Sequence, residues 1–157
     1  MKKLITLVIL ILLLLFSIAT CAVPENDVIK SLEEYDRSEE YCEGAFQDYT
    51  DYNKYYFLSA NLENNKYFSK VTEDDIAAFN EHLDDFESWI DTYRSGDPQR
   101  EIVVNYDFDR SCIDTDDYYY ISSEKIDLGY DEEIFANYDI YFYDTESNVL
   151  YYFHNNI

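Results

Sequence analysis

Apolar positions set two rhythms along this chain. Between residues 71 and 98 the rhythm is helical. Ile76, Phe79, Leu83, Phe86, Ile90 and Tyr93 recur in steps of three and four, one apolar stripe on an otherwise polar segment. Thr72 stands where an N-cap belongs and Asp75 follows three residues on, with Val71 and Ile76 in the staple positions. Glu73, Asp74 and Asp75 put negative charge at the positive end of the helix dipole, Arg94 suits the last turn, and Gly96 with Pro98 ends the helix. Trp89 is expected to border the stripe. An earlier stretch, Glu39 to Leu58, also reads as helix, because Cys42, Ala45, Phe46, Tyr49, Tyr52 and Tyr56 recur about every three or four residues. Residues 59–70 are Asn-rich and read as a loop.

After Pro98 the period falls to two. Ile102–Phe108 and Tyr118–Ile126 predict strands on either side of an acidic loop, and residues 127–137 hold a turn at Gly129. Tyr138–Tyr143 and Val149–His154 flank Asp144-Thr145-Glu146-Ser147-Asn148, a hairpin signal. Both faces of that hairpin are apolar. Ile140 and Phe142 alternate with Tyr141 and Tyr143; Val149, Tyr151 and Phe153 alternate with Leu150, Tyr152 and His154. Either other layers cover both faces, or one tyrosine-rich face is open to a partner. Two main helices followed by an antiparallel meander of about four strands packed on them define an α+β class.

The chain opens differently. Lys2 and Lys3 lead into the apolar run Leu4–Phe16, and Ser17-Ile18-Ala19-Thr20-Cys21 follows. A basic start, a short apolar core and small residues make the layout of an export leader. The run is shorter than the roughly 20 residues that a spanning helix needs. Ile18, Ala19 and Cys21 match the end of bacterial lipoprotein signals, which the segment resembles; Thr20 departs from them, because Gly, Ala or Ser is usual there. The resemblance covers the leader alone. It implies lipidation of Cys21 and attachment to the cell envelope through that residue. The residues by themselves leave open ordinary cleavage near Ala22, with secretion, or an uncleaved anchor. The expected plan is a leader over 1–20, a tether over 21–37 with a helical turn near Val28, Ile29 and Leu32, and a single α+β domain over 38–157.

Charge narrows the partners. The chain carries 11 Lys+Arg against 34 Asp+Glu, a formal charge of −23. Without Lys2 and Lys3 the balance is 9 against 34, or −25. Such a charge repels nucleic-acid phosphate and anionic lipid, so nucleic acid is excluded and membrane contact is confined to the N-terminal anchor. A partner guided by charge is a basic protein or peptide, or a divalent cation. With 47% hydrophobic and 18% aromatic residues, 18 of them tyrosine, the chain has the means to fold.

Chemical motifs are few. With Cys21 assigned to lipid, Cys42 and Cys112 remain as a pair. They form either a bridge closing a long loop, worth about 4 kcal/mol on the chain-entropy model, or two reduced buried thiols. Asp107, Asp109, Asp114 and Asp116 alternate through an acidic stretch that can converge on Ca²⁺, but Cys112 and Tyr118 fall where an EF-hand needs Gly and Glu. No cofactor is expected apart from that weak Ca²⁺ pattern. Arg110 is expected to neutralise its aspartate neighbours. His82 reads as a helix-surface residue and His154 as a sheet-edge residue, too far apart in sequence to form a zinc motif. Neither a Gly-x-Ser-x-Gly elbow nor a phosphate-cradling glycine loop occurs. The expected function is therefore non-enzymatic: an exported, acidic, tyrosine-rich module that engages a basic protein or peptide as inhibitor, immunity protein or adaptor. Asp139, Tyr141, Tyr143 and Tyr151 are the expected partner-binding residues. Two alternatives are an envelope hydrolase or Ca²⁺-dependent enzyme using the carboxylates of residues 107–117, and a structural envelope component without a discrete site.

Overall fold

Residues 27–45, 48–127 and 133–156 are described by a computed structural model. The leader, Cys21, the start of the expected tether and the turn at Gly129 lie outside the described residues. Six strands form one antiparallel sheet: β1 (Arg37–Ala45), β2 (Asp48–Tyr56), β3 (Ser69–Lys70), β4 (Tyr118–Asp127), β5 (Glu133–Asp144) and β6 (Val149–Asn156). Their spatial order is β1-β2-β6-β5-β4-β3. The helices are α1 (Asp27–Lys30), α2 (Glu73–Gly96) and α3 (Glu101–Asn105), with a 3-10 turn at Arg110–Cys112. The α+β class holds, with one long helix and two short ones among the described residues in place of two main helices, and six strands in place of about four.

Helix α2 forms as its stripe requires. The Thr72 backbone N–H donates to Asp75 Oδ2 at 3.0 Å, and the Thr72 hydroxyl donates to the same oxygen at 2.6 Å, closing the first turn. Phe79, Leu83, Phe86 and Ile90 are buried against one face of the sheet, on Tyr138, Ile140, Phe142 and Phe153. A bulge between Glu124 and Lys125 on one strand and residues 135–137 on the other shifts the register of β5. It brings Phe135 into the core that also holds Tyr138 and Ile140, against the strict alternation of a regular strand. Helix α3 adds Ile102 and Val103 to this core, where the period-two pattern predicts a strand.

The opposite face has its own core. Val28, Ile29 and Leu32 pack with Phe57 and Phe68 over Tyr55, Tyr141, Tyr143, Leu150 and Tyr152. Residues expected as a tether therefore supply a covering layer. The hairpin is apolar on both faces because both faces are covered.

The stretch 39–58 is not a helix. It folds as the β1–β2 hairpin, with Tyr41 opposite Tyr52 and Cys42 opposite Asp51. Strand β2 lies between β1 and β6, and its residues 50–55 are buried throughout, polar ones included. Each such polar group needs a partner. Thr50 donates to Asn155 Oδ1 at 2.9 Å and shares a 3.0 Å hydrogen bond with the Tyr93 hydroxyl. Lys54, 6% exposed, places Nζ 2.9 Å from both Asp107 Oδ2 and Glu39 Oε2. Burial works against the Lys54 charge, but its hydrogen bonds to Asp107 and Glu39 outweigh it and hold the ammonium above its ordinary pKa.

Candidate functional site

Register brings a row of polar side chains across the sheet. Cys42 on β1 faces Asp51 on β2, Asp51 faces His154 on β6, His154 faces Asp139 on β5, and Asp139 faces Ser122 on β4. Directly opposed residues share a face of the sheet. Asp139 Oδ1 accepts the Tyr152 hydroxyl at 2.7 Å and lies 2.9 Å from His154 Nδ1. Burial pushes the Asp139 carboxyl up, yet the hydrogen bonds from His154 and Tyr152 prevail and hold it below its usual range.

Asp51 has the opposite fate. It is 1% exposed, and neither carboxylate oxygen has a hydrogen-bond partner. Burial pushes its pKa up to about 6, although the nearby His154 pulls it down. His154 Nε2 is also buried without a partner. His154 thus sits on an interior strand rather than at a sheet edge, packed 4.7 Å from the Tyr49 ring.

The row does not assemble nucleophilic chemistry. Asp139 lies between Ser122 and His154, so the serine is two strand spacings, roughly 9.6 Å, from the imidazole it would need. Cys42 is disulfide-bonded. Cys112 is a free, half-buried thiol whose pKa burial and nearby carboxylates push up to about 12, far from a reactive thiolate. The expected Cys42–Cys112 bridge is therefore not formed. Lipidation of Cys21 concerns a residue outside the described region.

Beside the row lies an open pocket of about 350 Å³, lined by Asp48, Tyr49, Trp89, Tyr93, Asn155 and Asn156. It sits where the start of β2 and the end of β6 meet the C-terminal half of α2. Trp89 and Tyr93 rings are 6.3 Å apart, and Tyr93 is pinned by Thr50. Burial raises the Asp85 pKa, against the hydrogen bonds from Tyr138 and Trp89. Asp48 is exposed at the pocket. Tyr49 joins the pocket to the row, because its ring contacts His154. Aromatic faces beside a carboxylate attract cations through the ring quadrupole and through charge. The protein already uses this pairing: Arg100 stands 5.4 Å over the Tyr93 ring and is ion-paired to Glu43.

The expected partner-binding tyrosines are elsewhere. Tyr141 and Tyr143 are 3% and 1% exposed and lie in the second core, while Tyr151 packs 4.9 Å from Phe108 on the helix side. Asp139 is held by Tyr152 and His154. These four do not form one surface. The carboxylates of residues 107–117 are also dispersed. Asp107 serves Tyr52 and Lys54, Asp109 accepts the Ser111 N–H, Asp114 accepts the Asp116 N–H, and Asp116 pairs with Lys70. Among the described residues no group of three or more His, Cys, Asp or Glu side chains could hold a metal ion. Arg110 pairs with Asp84 and Glu87 of α2 rather than with its aspartate neighbours in sequence. His82 is buried, with Nδ1 2.9 Å from the Ala78 carbonyl and its ring 4.3 Å from Phe135, not at the helix surface.

Asp51, Tyr49 and the Asn155–Asn156 end of β6 carry no motif that sequence reading could find. Trp89 alone stood out as a large residue beside the stripe. No helix among the described residues is long and apolar enough to cross a membrane. Comparison with known proteins returns no matching family model, no matching curated relative and no matching solved structure.

Proposed function

We propose that this chain is an exported binding module that takes a cationic side chain of a basic protein or peptide in the Tyr49–Trp89–Tyr93 pocket. The observation that carries the reading is the grouping of Tyr49, Trp89 and Tyr93 with Asp48 around one open pocket on a chain of formal charge −23. Seven of the protein's own cations are already paired with carboxylates: Arg37, Lys54, Lys70, Arg94, Arg100, Arg110 and Lys125. The surplus charge that meets a partner is acidic. The leader-like first twenty residues support action outside the cytoplasm.

Trp89 is the chain's one tryptophan, so intrinsic fluorescence reports the pocket directly. A lysine-rich peptide titrated at low salt should change that emission saturably, and the effect should weaken at high salt. The same peptide with acetylated lysines should leave the emission unchanged, as should the lysine peptide added to the Tyr49→Ala variant. An equal response to the acetylated peptide, or none to the lysine peptide, overturns the reading.

A further inference from the structure

Layers cover both faces of the sheet, but its two edges differ. Strand β1 bounds one side, carries Arg37, Glu39, Glu40 and Glu43, and is packed against α3. Charged side chains of this kind keep foreign strands off an edge. On the other side β3 pairs with Tyr118 and Tyr119 alone. Among the described residues nothing pairs with the outer side of β4 beyond them. Tyr120-Ile121-Ser122-Ser123 holds neither a charge nor a proline. Residues 122–126 are exposed. Charge, a bulge and a lysine arrive only at Glu124 and Lys125.

We propose that residues 121–124 of β4 take an extended basic peptide as a further strand of the sheet, in line with β3. This edge is separate from the pocket, which lies at the ends of β2 and β6, and the contact needs nothing from it.

The edge already binds a strand. Ser69 and Lys70 run antiparallel to Tyr119 and Tyr118, and the next residue, Val71, donates its N–H to the Asp117 carbonyl at 2.9 Å. The Asp117 main chain therefore points outward. Alternation along the strand turns the N–H and C=O groups of Tyr119, Ile121 and Ser123 the same way. Those of Ile121 and Ser123 lie beyond the reach of β3, because the chain before Ser69 turns into the second core, where Phe68 is buried. A strand that ends where β3 begins would meet them at matching spacing. Four residues span about 14 Å, within the usual range of strand lengths.

Helix α2 sets the charge of the partner. It runs beside this edge, with Asp75 next to Tyr119 and Glu81 ion-paired to Lys125 at 2.9 Å. Asp74, Ala78 and Glu81 are exposed and follow at the spacing of one helix flank. A strand laid against β4 passes along that flank, where basic side chains meet Asp74 and Glu81 and the small Ala78 leaves them room. A second copy of the chain brings another formal charge of −23, so charge selects a basic peptide over edge-to-edge pairing of two copies.

Hydrogen exchange of the full chain, read by NMR, tests this. The probe is a capped Lys-Val-Lys-Val-Lys peptide, beside the same sequence N-methylated at its three central residues. Methylation keeps the charge and removes the main-chain donors. The unmodified peptide should slow exchange of the Ile121 and Ser123 amides about tenfold when it stands about ten times above its Kd, because exchange proceeds from the free fraction. The N-methylated peptide should leave both amides unchanged. Equal slowing by the two peptides, slowing confined to β1, or no slowing at either amide overturns the proposal. So does slowing that grows with protein concentration in the absence of peptide, which assigns the edge to a second copy. Trp89 emission judges the pocket in the same titration, so either reading can fail while the other stands.

Discussion

Asp51→Asn tests the buried row directly. The native carboxyl titrates near 6 against an ordinary 3.8, and the largest cause is burial. His154 on β6 opposes the shift, while Asp139 on β5 and Glu40 on β1 add to it. A raised carboxyl pKa means that the folded state prefers the protonated form. Well below pH 3.8 both states are protonated and Asp51 costs nothing. Between pH 4 and 6 the unfolded chain ionises first, and above 6 the full penalty applies. The rise from 3.8 to about 6 corresponds to about 3 kcal/mol at pH 7.5. Asparagine has nearly the same shape and no charge, so it removes this penalty. The expected gain in unfolding free energy is about 2 kcal/mol, since the amide retains unmet hydrogen-bonding capacity. Urea unfolding followed by circular dichroism and Trp89 emission, run at pH 7.5 and pH 4, gives the number. The other carboxylates are common to both proteins, so the difference between variants across the two pH values isolates Asp51. A variant that is less stable at pH 7.5, or equally stabilised at both pH values, refutes the reasoning.

Phe86→Ala removes a fully buried ring that packs edge-on to Phe153 at 5.3 Å, and should cost about 4 kcal/mol in denaturant unfolding. Asp107→Asn leaves Lys54 with Glu39 as its one carboxylate partner and should cost about 1–2 kcal/mol, measured the same way. Binding of the lysine peptide should weaken a few-fold between pH 7.5 and 5 as Asp51 gains its proton, because the Asp51 charge is felt at Tyr49, whose pKa burial and then Asp51 and Asp139 raise. Fluorescence titration at both pH values checks this, and Asp51→Asn should flatten the dependence.

What could be read in advance divides along a physical line. Helix α2 was legible because one face meets a core and the other meets solvent, so burial leaves a period in the sequence. Strand β2 was illegible because it is buried on both faces. Thr50, Asp51, Asn53 and Lys54 look solvent-facing by type yet are buried, three of them with partners from elsewhere in the chain. With polar residues inside, the tyrosine spacing that remained imitated a helix. Ile102 and Val103 failed for another reason: five residues are too few for periodicity to separate a short helix from a strand. The candidate site was hidden because register builds it. Asp51, His154 and Asp139 lie far apart in sequence and meet only when β2, β6 and β5 align.

The two covered faces also decide where recognition can occur. Helices α2 and α3 occupy one side of the sheet, and α1 with the segment through Phe68 occupies much of the other. The tyrosines of β5 and β6 are consumed in holding these layers, so their abundance measures packing rather than recognition. What remains is the end of the sandwich, where β2 starts, β6 finishes and α2 passes over them. There Trp89 and Tyr93 flank the core residue Ile90 in the second half of the long helix, and Tyr49, whose ring packs on His154, also lines the pocket. A partner at that end leaves both cores intact. On the binding reading proposed above, it approaches a charge of −23 through an opening with a carboxylate at its edge, where a basic side chain fits best.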